Sequence, residues 1–93
     1  MRVEGINPKY TRELARLYKA DRKYCAMVNE NQMALDQLDP ESDGHYKAAA
    51  RFERKEAGGI DRLVELSENL PARELAAFSK SYKEFHGYTP YLV

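Results

Sequence analysis

Between Pro8 and Leu38 no glycine or proline interrupts the chain, which allows one helix of about 31 residues and about 46 Å. A start signal stands in front of it: Asn7 is a favoured N-cap, and Pro8 takes the first helical position, where its missing N–H costs nothing. Read at alternating steps of four and three, the run gives Tyr10, Leu14, Leu17, Asp21, Tyr24, Val28, Asn31, Leu35 and Leu38. All but Asp21 and Asn31 are large and apolar or aromatic, so the stripe has coiled-coil rhythm and needs a partner.

The partner is expected from the same chain. Asp39-Pro40-Glu41-Ser42-Asp43-Gly44 joins a proline, capping residues and a glycine, the chemistry of a turn between helices. A second helix, about residues 44–70, carries the stripe His45, Ala49, Phe52, Glu56, Gly59, Leu63, Leu66 and Leu70. Folding back at the turn pairs residues whose numbers sum to about 83 or 84: Tyr24 with Gly59, Asn31 with Phe52, and Leu14 with Leu70. A large ring opposite a glycine suits knobs-into-holes packing, so helix 2 is expected to continue through Gly58-Gly59 although each glycine costs about 1 kcal/mol in a helix. Charge order agrees with the fold-back. Basic side chains dominate residues 9–23 and 47–55, while acidic ones occupy 29–43 and dominate 56–74.

A third helix is expected over about 71–86, from Pro71 to the stop at Gly87, with Leu75, Phe78, Tyr82 and Phe85 as its apolar stripe across the open end of the hairpin. The tail, 87–93, is extended by Pro90 and strongly apolar. The fold class is therefore all-α: a long antiparallel, coiled-coil-like hairpin, a shorter third helix and an aromatic tail, all in one domain spanning 1–93.

Chemistry is sparse. Fifteen Lys plus Arg balance fifteen Asp plus Glu, which removes the net positive charge of a dedicated nucleic-acid binder but not a local patch. Cys25 stands alone, so it forms no internal disulfide and is read as a structural thiol. His45 and His86 lack zinc spacing, and the carboxylate pairs Glu53/Glu56 and Glu65/Glu68 are interleaved with Arg and Lys as on ordinary solvated helix faces. Gly58-Gly59 lacks the strand and the Lys-Ser/Thr of a phosphate loop. No enzymatic activity, metal or cofactor is expected. No apolar run reaches signal-peptide or bilayer-spanning length, so the expected setting is cytoplasmic, without membrane contact.

Binding features are more evident. Arg12, Arg16, Lys19 and Lys23 form a ridge on helix 1 away from its apolar stripe, and Lys47, Arg51 and Arg54 form a second on helix 2, with Lys55 beside it. Tyr18, Tyr46, Tyr82, Tyr88 and Tyr91 are candidate contact anchors, since tyrosine offers a large rigid area with a polar tip. Tyr91-Leu92-Val93 resembles a ligand of carboxylate-capturing peptide-binding domains. In build the chain resembles the small accessory proteins of phages and plasmids, which implies action by covering a partner's surface. The expected function is thus a non-enzymatic protein-binding module, an adaptor or inhibitor that also self-associates. Arg12, Arg16, Lys19, Lys23, Tyr88, Tyr91, Leu92 and Val93 are its expected contact residues. Nucleic-acid binding through the cationic ridge is the alternative.

Overall fold

A computed structural model describes residues 7–91. A short 3-10 turn, Pro8–Tyr10, leads into α1, Thr11–Asp36, followed by α2, Asp43–Glu68, and α3, Ala72–His86. The Asn7 side chain accepts from the Lys9 N–H at 3.0 Å, so the entry is capped as expected, but proline-led 3-10 geometry precedes the α-helix proper. α1 ends at Asp36 and not Leu38. The chain reverses over residues 37–42, and the Ser42 side chain caps α2 by accepting from the His45 N–H at 3.2 Å. Gly44 therefore lies inside the first turn of α2. Likewise Pro71 is the N-cap of α3 and not its first helical residue.

α1 and α2 pack antiparallel along their stripes, and α2 runs unbroken through Gly58 and Gly59. A Cβ added to Gly59 would lie 2.7 Å from Tyr24 Cδ2, so Tyr24 seats against the glycine backbone as the fold-back register requires. Leu14, Leu17, Tyr24, Leu63 and Leu70 join Phe78 and Tyr82 of α3 in one buried cluster. Near its start the α2 stripe is rotated slightly, with Ala48 more buried than Ala49. The molecule is elongated, with principal extents of 51 × 24 × 16 Å, and each helix keeps a broad exposed face.

Among the described residues the one ion pair, Arg62 with Glu65 at 3.5 Å, lies within α2, so the charge order that agrees with the fold-back acts without direct pairs between the helices. One expectation about the core needs correction. Phe85 does not join the core: it is 64% exposed, and the buried face of α3 is Glu74, Phe78, Ser81 and Tyr82. The reason is the chain reversal at Gly87 (φ 83°), whose N–H donates to the Lys83 carbonyl at 2.8 Å. This left-handed cap turns the tail back over α1, and His86 and Tyr88 occupy the ground where a longer stripe would have packed.

Asn31 is buried in the hairpin stripe with no partner for its Nδ2. Exchanging an unsatisfied buried amide for an apolar side chain of similar length removes its desolvation cost. Asn31→Leu is therefore expected to raise stability by about 1 kcal/mol in thermal or urea unfolding. Unchanged or lower stability would mean that the amide finds a partner.

Candidate interaction surface

The polar centre of the molecule is Asp21, 1% exposed in the middle of α1's apolar stripe. A carboxylate so placed must be satisfied, and its partners come from the far end of the chain. The Tyr82 hydroxyl donates to its Oδ2 at 2.5 Å, and the Tyr91 backbone N–H donates to Oδ1 at 3.0 Å. Arg22 Nη1 donates in turn to the hydroxyls of Tyr82, at 3.2 Å, and Tyr88, at 2.5 Å. Donors and acceptors thus run in one direction, from guanidinium through Tyr82 to carboxylate, and such chains reinforce each other. The tail is fastened to its own α1.

Titration follows from this packing. Burial and the hydrogen bond to Asp21 push the Tyr82 phenol well above its ordinary value. Burial, then the neighbouring Tyr91 phenol, pushes Tyr24 up to about 12. Burial, then the Asp21 carboxylate, raises the Cys25 thiol, which keeps it protonated and a poor nucleophile. Cys25 Sγ lies 4.0 Å from Asp21 Oδ2.

Around this anchor the rings form a cluster about Tyr82 and His86 and a separate pair, Tyr24 with Tyr91. Tyr18 meets Phe78 and Tyr82 edge to face and stacks on His86 at 5.8 Å, with a 3.0 Å hydrogen bond between its hydroxyl and His86 Nε2. Tyr88 packs edge-on to Tyr82, Phe85 edge-on to His86, and Tyr91 lies 4.9 Å from Tyr24. The inner members are core, and Tyr82, a candidate anchor in the sequence, is wholly buried. The outer members face solvent: Phe85, Tyr88 at 48% and Tyr91 at 55%. At the opposite end Met33, Leu38 and Tyr46 are also exposed.

Burial, then the charge of Arg22, lowers the His86 pKa below its ordinary 6.5. The unfolded chain therefore takes up a proton at higher pH than the folded one, so the stability from neutral His86 is full above about 6.5 and is lost as pH falls through that value. A melting temperature that declines below about pH 6.5, with a shallower decline in His86→Gln, is the expected result of a pH series. Identical profiles would contradict it.

The sequence-derived contact residues fall into three groups. Arg12, Arg16, Lys19 and Lys23 are all exposed in one row along α1, as expected. Tyr88 and Tyr91 are brought to α1 by Arg22 and Asp21. Leu92 and Val93 lie outside the described residues. Arg22 and Phe85 were not singled out by the sequence. Arg22 is marked only by its place next to Asp21, and Phe85 reads there as a core residue. Among the described residues no three His, Cys, Asp or Glu side chains converge as metal ligands, and no helix is long and apolar enough to cross a membrane. Comparison of the chain with protein-family models, curated proteins and solved structures gives no match.

Proposed function

We propose that this protein is a non-enzymatic binding module, an adaptor or inhibitor that works by occupying the surface of a partner protein. The supporting observation is the set of exposed aromatics, Phe85, Tyr88 and Tyr91, held on a fixed base by the Asp21–Tyr82–Arg22 network. Large rings and arginine supply most of the energy at protein interfaces, and rings already fixed in place lose little conformational freedom on binding. Phe85, 64% exposed, and the half-exposed Tyr88 both pack against His86 and leave much of their ring area to solvent, as does Tyr91. This exposed area suits contact with a protein, including a second copy of this chain, for which the exposed Met33, Leu38 and Tyr46 offer further apolar area.

The test is capture. Tagged wild-type protein should retain a specific protein partner from lysate of its source cells, or associate with itself in sedimentation, and Phe85→Ser with Tyr88→Ser should abolish retention while leaving the helical spectrum intact. Equal retention by the variant, or retention of nothing by either protein, contradicts the reading.

A second reading rests on the exposed row Arg12, Arg16, Lys19 and Lys23, none of which has an ion-pair partner among the described residues. Such a row suits phosphates on a nucleic acid. It requires binding to DNA or RNA that weakens steeply with salt and with charge reversal of the four residues, and absence of low-salt binding removes it.

A further inference from the structure

Gly59 is explained by Tyr24, but its neighbour is not explained by the fold. A Cβ on Gly58 would meet nothing within 4 Å, and glycine in a helix interior costs about 1 kcal/mol relative to alanine. What Gly58 does is line a groove between α1 and α2, with a cavity volume of about 360 Å³. The floor is Ala20, Tyr24, Met27 and the two glycines. Lys23, Lys55 and Arg62 stand around it, and neither an acidic side chain nor any part of α3 contributes.

From this we infer that the groove receives an acidic amphipathic helix of a partner protein, an inference that rests on the binding-module reading and names a second surface for it. Three arguments select that occupant. The cavity is at the small end of ligand-sized pockets, with room for a few apolar side chains. Its floor combines bare helix backbone with a methionine, a surface on which leucine- or phenylalanine-type side chains seat closely, and a groove between two antiparallel helices accepts a third helix at ordinary packing distance. The three cations require carboxylates along the edges of the incoming helix. The ion pair of Arg62 with Glu65 is solvent-exposed and too weak to withhold the guanidinium.

Nucleic acid fits less well. Base stacking needs a free aromatic face, and Tyr24, the aromatic residue of the floor, is buried between Gly59 and the ring of Tyr91. Lys23 ends the cationic row of α1 and also lines the groove, so the row extends the same attraction toward Lys19 and Arg16.

The experiment uses the full chain and a fluorescein-labelled synthetic peptide of about four helical turns, with leucine at every third or fourth position and glutamate elsewhere. Fluorescence anisotropy should show saturable binding that weakens with added salt, and a peptide with lysine for every glutamate should not bind. Gly58→Leu adds an apolar side chain to the groove lining at a position where the new Cβ meets nothing within 4 Å. It should weaken binding at least about tenfold while the melting temperature holds or rises. The triple reversal K23E/K55E/R62E should do the same, and Lys47→Glu, outside the groove, should not. Undiminished binding by Gly58→Leu, equal binding of the lysine peptide, or no binding of the acidic one overturns the assignment. So does tighter binding of a DNA duplex that the same variants abolish. If the peptide fails while capture through Phe85 and Tyr88 persists, the groove assignment alone falls; if both fail, the binding-module reading falls with it.

Discussion

Asp21→Ala is expected to cost about 3 kcal/mol and to lower the melting temperature by more than about 10 °C. The carboxylate accepts from Tyr82 and from the Tyr91 backbone, and it is buried, so its removal strands two donors at once. Each lost bond to a charged acceptor is worth about 1.5 to 3 kcal/mol, and the small cavity left behind adds to the loss. Arg22 does not rescue the site, because a guanidinium only donates and the stranded Tyr82 hydrogen needs an acceptor. Tyr82→Phe should cost less, about 1 to 2 kcal/mol, since Asp21 retains Tyr91 and the ring still fills the core. Denaturant unfolding of both single variants and the double variant should show strong non-additivity, as expected of one network. If Asp21→Ala is as stable as the wild type, the desolvation cost of the carboxylate cancels its bonds, and the tail is held by ring packing alone.

The same substitution at two adjacent glycines should change stability in opposite directions. At Gly58 the new methyl group meets nothing, so Gly58→Ala should gain about 1 kcal/mol from helix propensity and the loss of unfolded-chain freedom. At Gly59 the methyl group would stand 2.7 Å from Tyr24 Cδ2 and 3.1 Å from Met27 Cε. Met27 can give way, but Tyr24 is buried against Tyr91 and cannot move without opening the tail contact. Overpacking of this kind costs about 1 to 3 kcal/mol against the propensity gain, which leaves the two variants about 1 to 3 kcal/mol apart. Guanidinium unfolding of the pair would measure the gap. A stabilised Gly59→Ala would mean that the helices cross elsewhere.

How far the sequence discloses this molecule depends on the range of each interaction. The hairpin is legible because its signals are local or follow one rule: a run without breakers, a turn at Pro40, and a register that sets Tyr24 against Gly59. Asp21 and Asn31 both read as polar residues out of place in an apolar stripe, yet nothing near them in sequence separates their fates. Asp21 finds its donors more than sixty residues away at Tyr82 and Tyr91, while the Nδ2 of Asn31 has none. The stripe on α3 predicts a buried Phe85 that the structure exposes, because periodicity gives a helix face but not where its neighbour ends. Gly87 is legible as a stop, but the direction in which a left-handed cap sends the chain depends on what receives it. The cationic row on α1 is visible in the spacing of Arg12, Arg16, Lys19 and Lys23, whereas the groove depends on both helices and on empty space over Gly58.

In the free protein the tail is locked to α1, so that Tyr88 and Tyr91 are presented ready-made. Amide hydrogen exchange at Tyr91, followed by NMR, tests this most directly. Slow exchange is expected at Tyr91, within reach of the amides in the middle of α1, and it should be lost in Asp21→Ala. Exchange at the rate of an unstructured chain end in the wild-type protein would contradict it.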